Sequence, residues 1–313
     1  MAANRGKRNF FYLSLCLLLS LLVFSSSACT TRKVPVSDET GTAIDSLIRT
    51  RRINEKTILI SFGYDAVTAI ETKKGIVVID AGISSNLAKR YRKIIADEFR
   101  RNYFVYVINT HGHTDHSGGN NVFPEAGIIG QINTAGDIQD YNKGREIVIE
   151  NLKRIYEEYD SSLKKPVRGS AEWNDSFTQM IRYKTAYEDA LAGLIIRQPE
   201  ITFSDSLVMT TGDATFEMIW FGEAHSNSDI LVFVPELKIL FTGDLLSSYG
   251  RPGFRVDVDK APEKRDRAIR WIKQRKDNSE IIVNGHGQIL SVSDLDSFLD
   301  KISSLHGLPL TVN

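Results

Sequence analysis

The first half of the chain alternates short strand-like runs with a helical run. Runs rich in apolar and β-branched residues predict four strands, at 57–62, 66–71, 76–80 and 103–109. Between the third and fourth strands, apolar positions recur at helical spacing, at Leu87, Tyr91, Ile94 and Ile95. Ser84 and Ser85 can cap the start of this helix. Such alternation of strands and helices is typical of α/β architecture.

Residues from about 133 to 198 interrupt the alternation and predict a helical insert. Apolar positions recur at helical spacing over 149–159 and again over 177–194, with Lys164-Lys-Pro-Val-Arg-Gly169 between them. We therefore expect a pair of helices inserted between two βα halves. Strands are predicted again after the insert, at 200–203, 207–210, 214–221, 231–234, 238–241 and 281–283. Two more helices are predicted, one from Pro262 and one through Leu295, Leu299 and Ile302.

Residues 1–28 have the layout of a secretory signal peptide. A basic start at Arg5, Lys7 and Arg8 precedes an uncharged apolar run at 10–24, and small residues follow it. The run is short for a membrane-spanning helix, and a retained anchor is the alternative. Beyond the signal we expect a polar tether at 29–54, a folded domain at 55–305 and a tail at 306–313.

Cys29 directly follows the small residues. The stretch Ser26-Ser-Ala-Cys29 resembles a bacterial lipobox, whose cysteine becomes the lipidated first residue of the mature protein. It has Ser26 where leucine is commonest, and ordinary cleavage after Ala28 also fits a small-x-small site. The resemblance implies export to the periplasm of a Gram-negative envelope. Because Thr30 rather than aspartate follows, it implies an outer-membrane lipoprotein, held to the membrane through a lipid on Cys29.

Charge and cysteine content exclude some kinds of partner and site. The chain has 39 basic and 39 acidic residues, and the signal peptide contains only three of the basic ones. Bulk charge therefore gives no indication of nucleic-acid binding. Cys16 lies inside the signal, which leaves Cys29 as the single cysteine of the exported protein. We expect neither an internal disulfide nor a thiolate metal site.

Five of the six histidines belong to one metal-ligand pattern. The stretch 110–119 follows a predicted strand and offers four ligands within six residues, His111, His113, Asp115 and His116. Three more candidates each follow a strand-like run, namely His225, Asp244 and His286. Histidine and carboxylate are the ligands that zinc prefers where it keeps an open coordination position. A lone histidine such as His306 is usually a core or surface residue, but this grouping predicts a metal-dependent hydrolase.

These residues resemble the signature of the metallo-β-lactamase superfamily. The signature His-x-His-x-Asp-His, then a separate histidine, aspartate and histidine, matches His111-Gly-His-Thr-Asp-His116, Ala224-His225-Ser, Thr242-Gly-Asp244 and Asn284-Gly-His286-Gly. Val78-Ile-Asp80-Ala-Gly82 resembles the early aspartate that supports the metal loop, although a polar residue ending a strand is the alternative. The resemblance covers about 55–305 except the insert. It implies an α/β fold, a four-layer αββα sandwich with metals between the edges of two mixed sheets.

The resemblance also implies a role for each ligand. One metal would be held by His111, His113 and His225, and a second by Asp115, His116 and His286, with Asp244 bridging both. The cofactor would be zinc, two ions per chain, with iron or manganese as alternatives. Two ions can clamp the attacking and leaving oxygens, and a metal-bound hydroxide is then the nucleophile. Asp115 would be the catalytic residue that orients this hydroxide and accepts a proton. Asp80 would hold a ligating histidine in the correct tautomer.

Asp244 bears on the choice of substrate. In the resemblance, zinc β-lactamases usually carry cysteine or serine at this position, whereas aspartate is typical of thioesterases, lactonases, phosphodiesterases and di-iron relatives. We therefore expect hydrolysis of an ester, thioester, lactone or amide bond in a small molecule. The alternatives are a β-lactamase, a mononuclear iron enzyme resembling persulfide dioxygenases, and a metal-binding protein without turnover.

The spacing of the later ligands and the helical insert indicate which substrates the chain can accept. The short gaps from His225 to Asp244 and from Asp244 to His286 leave no room for the nuclease domain of nucleic-acid-processing members. We expect the insert to roof the pocket. Candidate lining residues there and after Asp244 are Trp173, Tyr141, Tyr183, Tyr249, Arg251 and Phe254, with plain core or surface roles as the alternative for each.

Overall fold

The computed structural model describes residues 39–246 and 278–291, together with Lys264, Ala268, Trp271 and Ile272. The chain divides into two units, Met1–Glu39 and Thr40–Asn313, and of the first unit only Glu39 is described. Several predictions fall outside the described residues: the signal peptide, Cys29, Tyr249, Arg251, Phe254, the start at Pro262, the last helix and the tail. Within the described part, no helix is both long and apolar enough to cross a membrane.

Seven strands form the first sheet, and their spatial order follows the chain. They are β1 (Arg49–Asn54), β2 (Thr57–Phe62), β3 (Asp65–Thr72), β4 (Gly75–Ile79), β5 (Phe104–Ile108), β6 (Gly127–Gln131) and β7 (Ile201–Phe203). Pairing is antiparallel from β1 to β4 and parallel from β4 to β7. The helix α2 (Ser85–Phe99) connects β4 to β5, and the Ser84 hydroxyl caps it by accepting from the Leu87 N–H, as the sequence predicted.

Six strands form the second sheet. They are β8 (Ser206–Thr210), β9 (Thr215–Trp220), β10 (Ile230–Val234), β11 (Ile239–Phe241), β12 (Ile281–Val283) and β13 (Ile289–Ser291). Their spatial order is β13-β12-β11-β10-β9-β8. The pair β11 and β12 is parallel, and the other described pairs are antiparallel. Both sheets are thus mixed.

Alternate residues of each strand face different apolar layers, and this builds the sandwich. In the first sheet Ile58 and Ile60 face a core that includes α2, whereas Leu59 between them faces the second sheet. In the second sheet Val232 faces the first sheet, and its neighbours Leu231 and Phe233 face a core with the helical residues Ala268 and Ile272. Three apolar layers separate four layers of structure, so the predicted αββα class is confirmed.

The insert between β6 and β7 consists of three helices. They are α4 (Thr134–Lys143), α5 (Arg145–Ser162) and α6 (Ala171–Leu191). The helices α5 and α6 pack against each other, and α6 also packs against α2. The predicted pair corresponds to α5 and α6. The additional helix α4 buries only Thr134 and Ile138, which is too little apolar periodicity to predict it from sequence.

The prediction of an irregular tether up to residue 54 is wrong from Glu39 onward. The segment contains α1 (Glu39–Leu47) and β1, which pairs antiparallel with β2 at the edge of the first sheet. The first four residues of β1 are exposed, so the strand shows no alternation of apolar and polar positions. Backbone hydrogen bonds to β2 place it in the sheet, and of its side chains Ile53 packs against the core between the sheets. Two further strands, β6 and β13, were also absent from the sequence prediction.

Candidate metal centre

The candidate ligands lie where strands of both sheets end at one edge. After β5 the chain forms the loop that holds His111 and His113, and the short helix α3 (Thr114–Ser117) holds Asp115 and His116. In the second sheet β9, β11 and β12 run in the same direction, and the segments after them hold His225, Asp244 and His286. The backbone joins the two edges, because the Ile230 N–H donates to the Thr110 carbonyl at 2.9 Å.

The structure brings all seven predicted ligand residues together. Within three groups, the ligand atoms lie within 4.8 Å of one another: His111, His113 and His225; His111, His116 and Asp244; and Asp115, His116 and His286. The first and the last groups have the membership that the superfamily resemblance implied for the two metals. We name the first group the histidine triad and the last group the aspartate triad.

The histidine triad has three imidazole nitrogens that converge on one point. Nδ1 of His113 lies 3.1 Å from Nε2 of His111 and 3.1 Å from Nε2 of His225. His111 and His225 are buried, and His113 is half-buried. Three imidazole nitrogens at such short separations are suited to share one cation, because each has a lone pair when the ring is neutral.

The Asp244 carboxylate lies between the two triads. Its Oδ2 is 3.1 Å from Nε2 of His286 and 3.5 Å from Nε2 of His225. Its Oδ1 is 3.5 Å from Nε2 of His116. One carboxylate thus reaches ligands of both triads, which is the arrangement that a bridging ligand requires.

Asp80 holds the loop that carries the ligands. Its Oδ1 accepts from the Thr110 backbone N–H at 2.8 Å, and its Oδ2 accepts from the Thr110 hydroxyl at 2.8 Å. The same Oδ2 is 2.9 Å from Nδ1 of His116, so this nitrogen is the donor and Nε2 presents its lone pair to the site. Asp80 has a φ of 58°, a left-handed conformation that aspartate tolerates better than most residues.

Other hydrogen bonds fix the remaining ligands. Nδ1 of His286 donates to the Tyr64 carbonyl at 2.8 Å. The Ser228 hydroxyl accepts from the Gly112 N–H at 3.0 Å, between two histidines of the loop, and donates to the Asp137 carboxylate at 2.8 Å. The loop geometry is therefore set from both sheets and from the insert helix α4.

The two triads differ in their electrostatics. Burial, followed by neighbouring histidines, moves the pKa of His111 well below its usual value, and burial also lowers the pKa of His113. Burial opposes protonation of His116 too, but Asp244, Asp80 and Asp115 outweigh it and raise the pKa of His116 well above its usual value. Burial acts to raise the pKa of Asp115, but His116, His286 and Arg182 outweigh it and bring that pKa to about 2.

The residues fit a metal ion. Nε2 of His116 is buried and has no hydrogen-bond partner among the described residues, which is costly unless another group binds it. At Gly285 a Cβ atom would lie 2.2 Å from Oδ1 of Asp244 and 2.8 Å from Cε1 of His116, so glycine leaves the room beside these ligands open. Imidazole and carboxylate without thiolate suit zinc, iron and manganese alike.

The insert contributes a charged residue that the sequence analysis did not single out. Arg182 of α6 is fully buried, and its Nη2 lies 3.7 Å from Oδ2 of Asp115. Asp65, at the start of β3, accepts from Nε of Arg182 at 2.7 Å. Asp65 and Arg182 are 117 positions apart, and neither follows a recognisable motif, so no sequence signal indicated the pair.

The aromatic candidates of the insert have packing roles. Trp173 stacks on Phe177 with ring centroids 4.7 Å apart, and Tyr183 stacks on Tyr159 at 5.9 Å. Both Trp173 and Tyr183 are half-buried against the core between α2 and the insert. Tyr141 lines a small cavity with residues of α6, and burial raises its pKa to about 12.

The chain is similar in sequence to known metallo-beta-lactamases. It is 21% identical over 258 residues to a metallo-beta-lactamase type 2 of Bacillus cereus, and the match covers 81% of this chain and 80% of the relative. A second enzyme with the same description, from Bacillus sp. (strain 170), is 21% identical over 261 residues and covers 82% and 81%.

Solved structures show the same fold. A metallo-beta-lactamase from Pontibacter korlensis superimposes with a TM-score of 0.54 at 18% identity, covering 82% of this chain and 99% of that one. The DIM-1 metallo-beta-lactamase exposed to ceftazidime superimposes with a TM-score of 0.56 at 14% identity, covering 82% and 97%. The model of one family, described as the metallo-beta-lactamase superfamily, matches residues 62–286, which include all seven ligand residues. The chain belongs to the metallo-beta-lactamase superfamily.

Proposed function

We propose that this chain is a zinc-dependent hydrolase that cleaves an ester, thioester, lactone or amide bond in a small molecule. One observation carries the proposal: two triads of metal-ligand type share a single bridging carboxylate, Asp244. Family membership makes metal-dependent hydrolysis the expected chemistry. The half-buried His113, Asp115 and His286 mark the side from which a substrate reaches the ligands.

The histidine triad and the aspartate triad would hold one zinc ion each, with Asp244 between them. When bound, zinc would supply a hydroxide nucleophile at neutral pH, because coordination lowers the pKa of water to about 7. Asp115 has a side chain that is about one-third exposed, and it can orient the nucleophile and accept its proton. Asp80 keeps His116 in the tautomer that faces the site.

The carboxylate of Asp244 favours the proposed range of ester, thioester, lactone and amide substrates over β-lactams alone. A carboxylate stands where zinc β-lactamases resembling this chain usually have cysteine or serine. The second candidate function, β-lactam hydrolysis, has a specific observation in its favour, since the sequence relatives named above are all described as metallo-beta-lactamases. Both functions use the same ligands and differ in the substrate that the surrounding pocket accepts.

The test is a hydrolysis panel on the purified, zinc-loaded mature chain. It compares a β-lactam, a thioester, a homoserine lactone and a phosphodiester, with Asp115→Asn as the control because this variant keeps the shape of the side chain. We expect turnover of a thioester or lactone that falls strongly in the variant. Turnover of the β-lactam alone would support the second candidate. One iron per chain without zinc, or metal binding without any turnover, would contradict the proposed hydrolase.

We also propose that the protein is exported and anchored to the outer membrane through a lipid on Cys29. The support is the lipobox-like stretch Ser26-Ser-Ala-Cys29 after a signal-type apolar run. Labelling of a Gram-negative host with a palmitate analogue should mark the wild-type protein and not Cys29→Ser. Labelled Cys29→Ser, or an unlabelled soluble wild type in the periplasm, would contradict the anchor.

A further inference from the structure

Arg182 of the insert helix α6 lies beside the candidate ligands, with its Nη2 3.7 Å from Oδ2 of Asp115. Its side chain is 1% exposed, and the side chain of Asp65 beneath it is fully buried. A buried guanidinium loses its hydration, so it must be compensated by acceptors of the protein. The acceptors around Arg182 show what holds it and what it faces.

The three guanidinium nitrogens face different partners. Nε donates to Oδ1 of Asp65 at 2.7 Å, and Nη1 donates to Oε1 of Gln179 at 2.7 Å. Nη2 faces Oδ2 of Asp115 at 3.7 Å, the separation of an ion pair rather than a hydrogen bond. Two partners therefore fix the plane of the guanidinium, and its remaining edge is directed at the metal-loop carboxylate.

Asp65 is itself held by residues outside the insert. Its Oδ2 accepts from the Tyr91 hydroxyl at 3.0 Å and from the Ile83 N–H at 3.3 Å. Gly82 has a φ of +79°, and a Cβ atom there would lie 3.1 Å from the same Oδ2. The position of Arg182 is therefore determined by β3 and α2 as well as by its own helix.

We propose that Arg182 is a positioning residue that holds the Asp115 carboxylate in its working orientation, so that the insert controls the metal centre. The inference rests on the proposed hydrolase function. A guanidinium held in place by Asp65 and Gln179 restricts the rotation of the carboxylate that it faces at 3.7 Å. Because Arg182 itself is buried, it acts through Asp115 and not by touching the substrate.

The main test variant is the double substitution Arg182→Met with Asp65→Asn. Replacing Arg182 alone would leave a buried carboxylate unpaired and endanger folding, whereas the double variant removes both charges. We expect kcat to fall by roughly 10–100-fold, as is typical when a residue behind a metal ligand is lost, with KM changing little. Arg182→Lys keeps the charge but has a single donor group in place of the planar fork, so it should recover only part of kcat.

A spectroscopic readout separates positioning from a merely structural role. The absorption spectrum of the cobalt(II)-loaded protein reports the ligand geometry, so it should change in the double variant. Introducing the same double change into Asp115→Asn should cause no further loss of kcat and no further spectral change, because Asp115 is the group through which Arg182 acts.

Thr185→Val is the matched control. Thr185 lies one helical turn beyond Arg182 on α6. Its buried hydroxyl accepts from the Ser84 hydroxyl at 2.8 Å and donates to the backbone carbonyls of Ile181 at 2.9 Å and Arg182 at 3.0 Å, so the variant leaves the guanidinium and its side-chain partners in place. This variant should lower the unfolding temperature while leaving kcat and the cobalt spectrum unchanged.

The possible results separate the two proposals. An active wild type whose kcat and cobalt spectrum are unaffected by the double substitution would overturn the role of Arg182 alone. A change of equal size in Thr185→Val, or a full further loss on the Asp115→Asn background, would overturn it too. A wild type that binds no metal would contradict both the hydrolase and this inference. A wild type that binds cobalt but has no turnover contradicts only the hydrolase, and the spectra then decide the role of Arg182.

Discussion

The histidine triad and the aspartate triad share Asp244 but are supported in different ways. In the histidine triad burial keeps the pKa values of His111 and His113 low, which favours their neutral rings. In the aspartate triad Asp115 contributes a formal negative charge, and the carboxylates around His116 raise the pKa of that ring. Charged groups that are buried or half-buried need further charged or hydrogen-bonding partners.

The residues that support the ligands differ between the two triads. Asp80 binds His116, and Arg182 faces Asp115, so the aspartate triad depends on a residue directly after β4 and on a residue of the insert. Outside the ligand set, the histidine triad is supported by the Thr110 hydroxyl, 3.3 Å from Nδ1 of His111, and by the Ser228 hydroxyl, which binds the backbone of the loop. We therefore expect the aspartate triad to be more sensitive to substitutions outside the ligand set than the histidine triad.

The largest effect is expected for Asp244→Asn, which weakens both triads at once. The amide keeps the size of the side chain but loses the negative charge that lies between the two groups. Zinc content, measured by mass spectrometry of dialysed protein, should fall at both positions, and hydrolysis should fall more than the roughly 10–100-fold expected for an outer residue. The exposed Asp140→Asn is the control, and full zinc content in Asp244→Asn would contradict the bridging role.

The next largest effect on zinc content is expected when one ligand of a single triad is removed, and it distinguishes the two triads. His113→Ala removes a ligand from the histidine triad only, and His286→Ala removes one from the aspartate triad only. Each variant should retain about one zinc ion per chain where the wild type holds about two. The two variants combined should retain none. Identical loss of all zinc in both single variants would show that the positions do not fill independently.

A smaller effect is expected for Asp80→Asn. The substitution weakens the acceptor for Nδ1 of His116, so the ring is less firmly oriented and a worse ligand. The affinity of the aspartate triad for zinc should fall by roughly 10–100-fold. The affinity of the histidine triad should fall less, because asparagine keeps an oxygen that can accept from the Thr110 N–H. Competition with a chromophoric chelator measures both affinities. Equal weakening of both would remove the distinction between the triads.

The smallest effect on metal binding is expected for Ser228→Ala. The Gly112 N–H loses its acceptor, and an unsatisfied buried group of this kind costs about 1–3 kcal/mol of folding free energy. Denaturant unfolding should show this loss, while zinc affinity at the histidine triad changes by only a few-fold because all three imidazoles remain. A loss of zinc as large as that of His113→Ala would mean that the histidine triad also depends on its surroundings.

The sequence allowed the ligand set to be predicted because its members follow strands. Residues at the ends of neighbouring strands come together at one sheet edge, so His225, Asp244 and His286 could be grouped with the loop after β5 without knowledge of the fold. The helix cap at Ser84 could be predicted because it depends on residues close in sequence.

The rest of the site depends on contacts between distant residues. Arg182 and Asp65 are separated by 117 positions, and Ser228 and Asp137 by 91. Neither pair has a characteristic spacing, since the contact arises only when the insert folds back on the sheet. The edge strand β1 escaped prediction for another reason, because its exposed side chains carry no apolar alternation.

The buried pair of Arg182 and Asp65 limits which segments could replace the three-helix insert of this chain. The three-helix segment enters and leaves the first sheet between neighbouring strands, so a shorter connection could take its place without altering the strand order. Such a replacement would remove the arginine and leave Asp65 charged and fully buried, at a cost of about 3–5 kcal/mol. A replacement segment must therefore bring its own cation to Asp65, or Asp65 must be substituted at the same time.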